Sequence, residues 1–183
     1  MYLRMADSWY SLVTVLDADI RYVGHWDLLT AMAASDVRVV MQEALERTGA
    51  TPDLVTDNGS QFTAADFQEL VRRFAFRHLR IWMYHRESNG AVERFHRTTR
   101  EALAETVIRN LGQARALLAE WVRSDNEERR HAALGYLPPS EYSRGHPAAR
   151  VTARSETLER VREHRQTMNQ QRQQAAQATS SYG

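Results

Sequence analysis

Cysteine and lysine are both absent from this chain of 183 residues. Without cysteine, neither a disulfide nor a thiolate metal site can form. Without lysine, all 24 basic residues are arginine, whose guanidinium group stays charged and can bind phosphate through two parallel hydrogen bonds. No apolar run reaches the roughly 20 residues that cross a membrane, and no signal peptide is visible. We therefore expect a cytoplasmic protein that has no membrane partner.

The length suits one folded domain followed by a tail. We predict that residues 1–145 form the domain and that residues 146–183 form a charged tail. Val151–Met168 has the charged, weakly apolar pattern of an exposed helix. Asn169–Gly183 is rich in Gln, Ala and Ser, a composition that predicts disorder.

The periodicity of the first 145 residues predicts a mixed α/β domain. The order is three strands, a helix, a strand, a helix, a strand and two helices. The predicted strands are Met1–Met5, Trp9–Leu16, Arg21–Leu29, Asp53–Thr56, which is expected to be buried, and Phe76–Ile81. The predicted helices run from an N-cap at Ser35 to Gly49, over Ala64–Phe74 with Thr63 as its cap, and over Ala91–Arg109 and Gln113–Ser124.

Two acidic residues, Asp57 and Glu93, are separated by 35 residues. Asp57 follows the predicted strand that ends at Thr56, and Glu93 lies in the first turn of a predicted helix. Carboxylates brought together from a strand end and a helix are the hard oxygen ligands that a divalent metal prefers. The pair therefore indicates metal-assisted phosphoryl transfer on nucleic acid.

Each of these residues also has an ordinary structural explanation. Asp57 can simply begin an Asx turn into Asn58-Gly59. Glu93 can be a first-turn residue stabilised by the helix dipole, or it can pair with an arginine, since Glu93, Arg97 and Arg100 share one helical face. The arginines that recur from Arg72 to Arg130 can be a solvated surface or a consequence of codon usage. Their density around Glu93 favours a contact with DNA.

Several motifs together resemble the catalytic core of integrase-like transposases of bacterial insertion sequences, which are related to retroviral integrases. The resemblance covers about Tyr2 to Tyr142, in the family's order and with its 35-residue spacing. The matching motifs are Asp57-Asn58-Gly59, Tyr84-His85, Asn89-Gly90, Glu93-Arg94-Phe95-His96-Arg97-Thr98, Arg129-Arg130-His131 and Leu134-Gly135-Tyr136-Leu137-Pro138-Pro139.

This resemblance implies a ribonuclease H-like fold, in which helices flank a mixed β-sheet, with a helical C-terminal extension here. It implies a site for two Mg²⁺ or Mn²⁺ ions, with Asp57 and Glu93 as catalytic ligands. It also implies transposon-end nicking and strand transfer by a homo-oligomer assembled on DNA. The expected DNA contacts are Arg86, Arg94, Arg97, Arg100, Asn58, Tyr84 and His85.

The chain departs from the family at the first catalytic Asp, whose matching position falls immediately before Met1. Asp7, Asp17 and Asp19 fall in predicted turns, and we do not expect any of them to replace it. The chain alone is thus expected to be inactive. Either it belongs to a complete transposase whose start was assigned too late, or it is a truncated and inactive copy. The alternative is a non-catalytic DNA-binding or assembly module, or an inhibitor of the full-length transposase. A different ribonuclease H-like nuclease is disfavoured by the motif after Arg130.

Overall fold

The computed structural model describes residues 1–5, 8–48, 53–80, 90–145 and 147–180. The side chains of Met5 and of residues 170–180 are not among those described. Gly49, Ile81 and Asp7, which the sequence analysis placed in a helix end, a strand and a turn, lie outside these ranges.

Five strands form two small sheets in the described ranges. Strands β1 (Tyr2–Met5), β2 (Ser8–Leu16) and β3 (Val23–Leu29) make an antiparallel sheet in that order, with Leu3 opposite Tyr10 and Leu12 opposite Leu28. Strands β4 (Asp53–Thr56) and β5 (Arg77–Arg80) are parallel, with Thr56 opposite Arg80. The β-branched and aromatic residues of β2 suit a pleated, half-buried surface.

Seven helices and one 3₁₀ turn complete the described structure. They are α1 (Ala34–Thr48), α2 (Ser60–Thr63), α3 (Ala65–Arg73), α4 (Gly90–Leu103), α5 (Leu111–Glu127), the 3₁₀ turn Ala132–Leu134, α6 (Pro139–Ser143) and α7 (Pro147–Ser180).

Helices cover both faces of the antiparallel sheet. Leu12 and Leu28 face α5, where they pack against Leu118. The neighbouring Leu29 points the other way and packs against the apolar stripes of α1 and α3, centred on the fully buried Phe67. Successive strand residues point to opposite faces, so Leu28 and Leu29 serve two cores. This arrangement confirms the predicted mixed α/β class.

A buried amide fixes α5 against the edge of β3. Asn126 donates to the carbonyl of Val23 at 3.0 Å and accepts from the amide of Val23 at 2.9 Å. Its side chain thereby pairs with the strand backbone much as another strand would. Beside it, Val23, Phe95 and Val122 form a third apolar cluster, which joins β3, α4 and α5.

The structure corrects several predicted boundaries. Asp53–Thr56 is a strand but not a buried one, since only Thr56 is buried and Val55 is 43% exposed. Thr63 does not cap the following helix: it ends α2 and donates to the Ser60 carbonyl, and Ala64 occupies the cap position. Both differences arise because β4 lies in a two-stranded sheet at the surface and an extra helical turn follows it.

Helix lengths also differ from prediction. Helix α4 ends at Leu103 rather than Arg109, because Thr106, Val107 and Ile108 are consecutive β-branched residues that favour extended backbone. Asn110 then caps α5 by accepting from the Gln113 amide at 2.8 Å. In the tail, α7 continues to Ser180, where disorder was predicted from Asn169. Gln, Ala and Arg are good helix formers, which favours a helix in this part of the tail.

Candidate active site

Asp57 directly follows β4 and is exposed. Its Oδ1 accepts a hydrogen bond from the Gly59 amide at 2.9 Å, so the Asx turn considered in the sequence analysis does form. This bond orients the carboxylate at the strand end, and Asn58 beside it is also exposed. A ligand role for Asp57 is compatible with the turn, because a carboxylate can accept at several positions.

A chain of hydrogen bonds supports the strand end beneath Asp57. The Thr56 hydroxyl donates to the Asp57 carbonyl at 3.0 Å and lies 2.8 Å from His78 Nε2. Since that hydroxyl proton is used, Nε2 of His78 must donate, which leaves Nδ1 to accept from Gln68 Nε2 at 3.4 Å. Burial, and then the charge of Arg80, lowers the pKa of His78. The neutral ring therefore holds Thr56, and with it the backbone of Asp57.

Glu93 lies on the exposed face of α4, in the first turn. Arg97 and Arg100 follow it on the same face and are exposed as well. The ion pair that Arg97 makes is with Glu101, at 4.0 Å, rather than with Glu93. The face thus presents a carboxylate beside cationic groups that could hold a phosphate.

The Met1 amino group, at the start of β1, interacts electrostatically with Asp57 and with Arg100 on α4. The Met1 amino group donates to the Leu12 carbonyl at 3.1 Å. Its pKa is lowered by burial and then by Arg100, while Asp57 acts in the opposite direction. His96 lies 3.2 Å from the Thr14 hydroxyl on β2. Burial, followed by the Met1 amino group and Arg100, lowers the pKa of His96 to about 4. Asp57 and Arg100 are therefore each within electrostatic reach of the Met1 amino group.

Two family models, each described as "Integrase core domain", match residues 1–86 and 75–139 of this chain. The chain belongs to the integrase core family. The transposase InsD of insertion element IS2A/D/F/H/I/K from Escherichia coli is 31% identical over 137 residues, which are 70% of this chain and 46% of that protein. A protein of insertion element IS476 from Xanthomonas euvesicatoria is 32% identical over 108 residues, 58% of this chain and 31% of that protein.

The chain spans less than two thirds of the length of these insertion-element relatives. Among solved structures, the catalytic core domain of BIV integrase matches with a TM-score of 0.60 at 22% identity, over 78% of this chain and 89% of that one. The HTLV-2 integrase core in complex with magnesium (trimeric form) matches with a TM-score of 0.58 at 18% identity, over 72% of this chain and 83% of that one. These likenesses establish the ribonuclease H-like integrase fold.

The other residues named in the sequence analysis fall in different parts of the structure. Tyr84, His85 and Arg86 lie outside the described residues. Arg94 lies on the side of α4 that turns away from Glu93, where it lines a cavity with Arg129 and Arg130. Asp17 is a turn residue, as predicted: its Oδ1 accepts from the amides of Asp19 and Ile20.

The side chains of Asp57 and Glu93 are of the type that a hard divalent cation prefers. Asp57 and Glu93 offer exposed carboxylate oxygens, which Mg²⁺ and Mn²⁺ prefer. In the part of the chain that the structure describes, no group of three His, Cys, Asp or Glu residues is arranged to hold a metal. The described helices include none that is long and apolar enough to cross a membrane.

Sequence reasoning missed the hydrogen-bonded support under Asp57. Thr56 and His78 are far apart in the sequence, and only the parallel pairing of β4 with β5 brings them together. The available signal was a polar residue in each of two short strands, a weak pattern because exposed strands often carry such residues.

Proposed function

We propose that this chain is the core of a transposase that performs metal-dependent phosphoryl transfer on DNA, comprising end nicking and strand transfer. Asp57 and Glu93 are its metal-binding carboxylates in this proposal. The observation that carries it is the exposed position of Asp57 at the end of β4, with 35 residues between it and the exposed Glu93 in the first turn of α4. Membership of the integrase core family supports the choice of reaction.

The divalent ions would supply charge neutralisation at phosphorus and activation of the attacking oxygen. The residues of the chain have separate tasks. Asp57 and Glu93 bind the ions, and the Thr56–His78 pair keeps the backbone at Asp57 in place. Arg97 and Arg100 bind phosphates of the strand that passes along the exposed face of α4.

The reaction in this proposal needs a third carboxylate beside Asp57 and Glu93 to hold two ions. We therefore expect efficient strand transfer to depend on residues that supply it.

The decisive experiment is strand transfer of a pre-cut transposon end in Mn²⁺. The chain as given is compared with a version extended by its upstream coding sequence. We expect activity from the extended protein, and we expect Asp57→Asn and Glu93→Gln to lose more than the roughly 10- to 100-fold typical of residues that only support metal ligands. Glu69→Gln is the matched control, because Glu69 is exposed on α3, away from Glu93 and the arginines of α4. Full activity of Glu93→Gln would overturn the assignment.

A non-catalytic DNA-binding or assembly role is the second candidate. It is favoured by the finding that the described residues contain no complete three-residue metal cluster. Calorimetric titration with Mn²⁺ separates the two functions. We expect weak Mn²⁺ binding that Asp57→Asn reduces, whereas identical titrations of the two proteins would favour the non-catalytic role, provided that both bind duplex DNA.

A further inference from the structure

A cationic cavity of about 240 Å³ lies between α4, the turn before β3 and the segment after α5. Four arginines line it: Arg21, Arg94, Arg129 and Arg130. The only acidic residue among its lining is Asp125, which is almost fully buried and accepts from Arg129 Nη1 at 2.9 Å. One of the four positive charges is thus neutralised, and the cavity keeps an excess of cationic groups without a matching anion in its lining.

The fold holds the guanidinium of Arg129 and the backbone of Arg21 in defined positions. The Arg129 guanidinium is paired with Asp125 and lies 5.7 Å from the centre of the Trp121 ring. Arg21 sits at φ 62°, a left-handed conformation that is uncommon for a residue other than glycine. The turn that begins at Asp17 sets this backbone, because Asp17 receives the amides of Asp19 and Ile20.

His131 adds a polar atom that has no described partner. Its Nε2 is buried and makes no hydrogen bond within the described residues, and the closest Asp125 carboxylate oxygen is 3.7 Å away. Burial is the main cause that lowers the pKa of His131, and Arg129 and Arg21 also lower it, against the effect of Asp125. An anion in the cavity would compensate the positive charges that surround this ring.

The cavity and the candidate active site lie on different faces of α4. Glu93, Arg97 and Arg100 share one helical face, whereas Ala91, Arg94 and Thr98 line the cavity. A ligand in the cavity would therefore contact the helix from behind the carboxylate and would not compete with a metal at Glu93.

We propose that this cavity binds a backbone phosphate of DNA, as a second contact distinct from the strand at Glu93. The proposal rests on the proposed function, in which the chain acts on DNA. Arginine is suited to the task, because its planar fork binds phosphate oxygens in pairs. The cavity is large enough for a phosphodiester group.

Binding of duplex DNA, measured by fluorescence anisotropy in EDTA, tests the proposal. The variants are Arg21→Gln, Arg130→Gln and the double variant, with Arg72→Gln as the control, since Arg72 is exposed on α3 outside the cavity. We expect each cavity variant to bind roughly 10-fold more weakly at low salt and to reduce the slope of log K against log salt by about one. The double variant should lose less than the product of the two, because both arginines hold one phosphate.

The proposal would be overturned if the cavity variants lost no more DNA affinity than Arg72→Gln does. It would also be overturned if the loss in the double variant equalled the product of the two single losses. Either result would indicate attraction by diffuse surface charge. The absence of metal in this assay separates its result from the proposed chemistry. A failed strand-transfer assay with intact cavity-dependent binding would thus reject the chemistry alone.

The ring resonances of His131, followed by NMR, identify the source of the phosphate. Saturable shifts with duplex DNA that Arg130→Gln abolishes are the expected result. Shifts with inorganic phosphate but none with duplex would reject the DNA assignment and indicate a site for a free anion. No shift with either would reject the site altogether.

Discussion

Thr99 is fully buried on α4, and its hydroxyl serves two partners. It donates to the Phe95 carbonyl at 2.8 Å and accepts from Trp121 Nε1 on α5 at 2.8 Å. We predict that Thr99→Val, which keeps the shape, lowers the free energy of unfolding by about 1–3 kcal/mol, because the indole N–H is left unpaired. Urea unfolding measures this. Thr157→Val, on the exposed α7, is the control and should change little; equal effects would contradict the role of the indole bond.

Asn126 shows a second way in which one buried residue positions helices. Its amide satisfies both backbone groups of Val23. Asn126→Asp should destabilise the chain by about 3 kcal/mol or more, because a buried carboxylate would face the Val23 carbonyl. Asn126→Ala should cost less, since it introduces no charge. Asn169→Ala, on the exposed part of α7, is the matched control. Thermal unfolding of the three variants tests this order, and an unchanged midpoint for Asn126→Asp would contradict it.

Sequence reasoning at this scale worked where a residue acts on its neighbours and failed where it acts across the fold. The turn at Asp17 was predictable because its partners are two and three residues away. The partners of Asn126 and Thr56 lie 103 and 22 residues away, and nothing in a single sequence indicates these pairs. Asp57 and Glu93 were found from their order and spacing, and their roles as ligands stay predictions.

Among the elements, α7 depends least on the core. Its first turns make the described contacts: Arg150 pairs with Glu141 at 3.3 Å, and Arg154 lies over the Tyr136 ring. From Ser155 to Asn169 every residue is exposed. We predict that truncation after Thr157 leaves the thermal midpoint nearly unchanged, whereas truncation after Gly145 lowers it. A large decrease in the thermal midpoint after truncation at Thr157 would show that the outer part of α7 packs against another part of the protein.

The element order was predictable because apolar periodicity is a local property. Helix α1 carries its buried residues at the spacing expected for one helical face, and β2 is rich in residues that favour strands. The end of α4 was not predicted, because the apolar Val107 and Ile108 continue the helical pattern although their branching disfavours it. The extra turn α2 was missed because its burial depends on α1 and α3.

At the scale of the whole molecule, the helices on both faces of the sheet enclose histidines from several elements. Burial is the main cause that lowers the pKa of His25, His78, His96 and His131. These residues lie on β3, β5, α4 and the segment after α5. Acid sensitivity is therefore a property of the assembled fold, since covering by neighbouring elements disfavours the protonated form of each ring.

We predict that the chain loses stability as pH falls from 6.5 towards 4. Unfolded histidines bind a proton near pH 6.5, whereas His96 in the folded chain does so at about 4. Between these values the unfolded state binds more protons than the folded state. The free energy of unfolding therefore decreases as the pH decreases, by an amount on the order of 3 kcal/mol for His96 alone. Above pH 6.5 the histidine is neutral in both states, and its contribution to stability is constant.

Urea unfolding at several pH values measures the slope of the free energy of unfolding against pH. His96→Gln, which can still bond Thr14, should flatten it, whereas His164→Gln, on the exposed α7, should not. An identical slope in His96→Gln would show that other groups cause the acid loss.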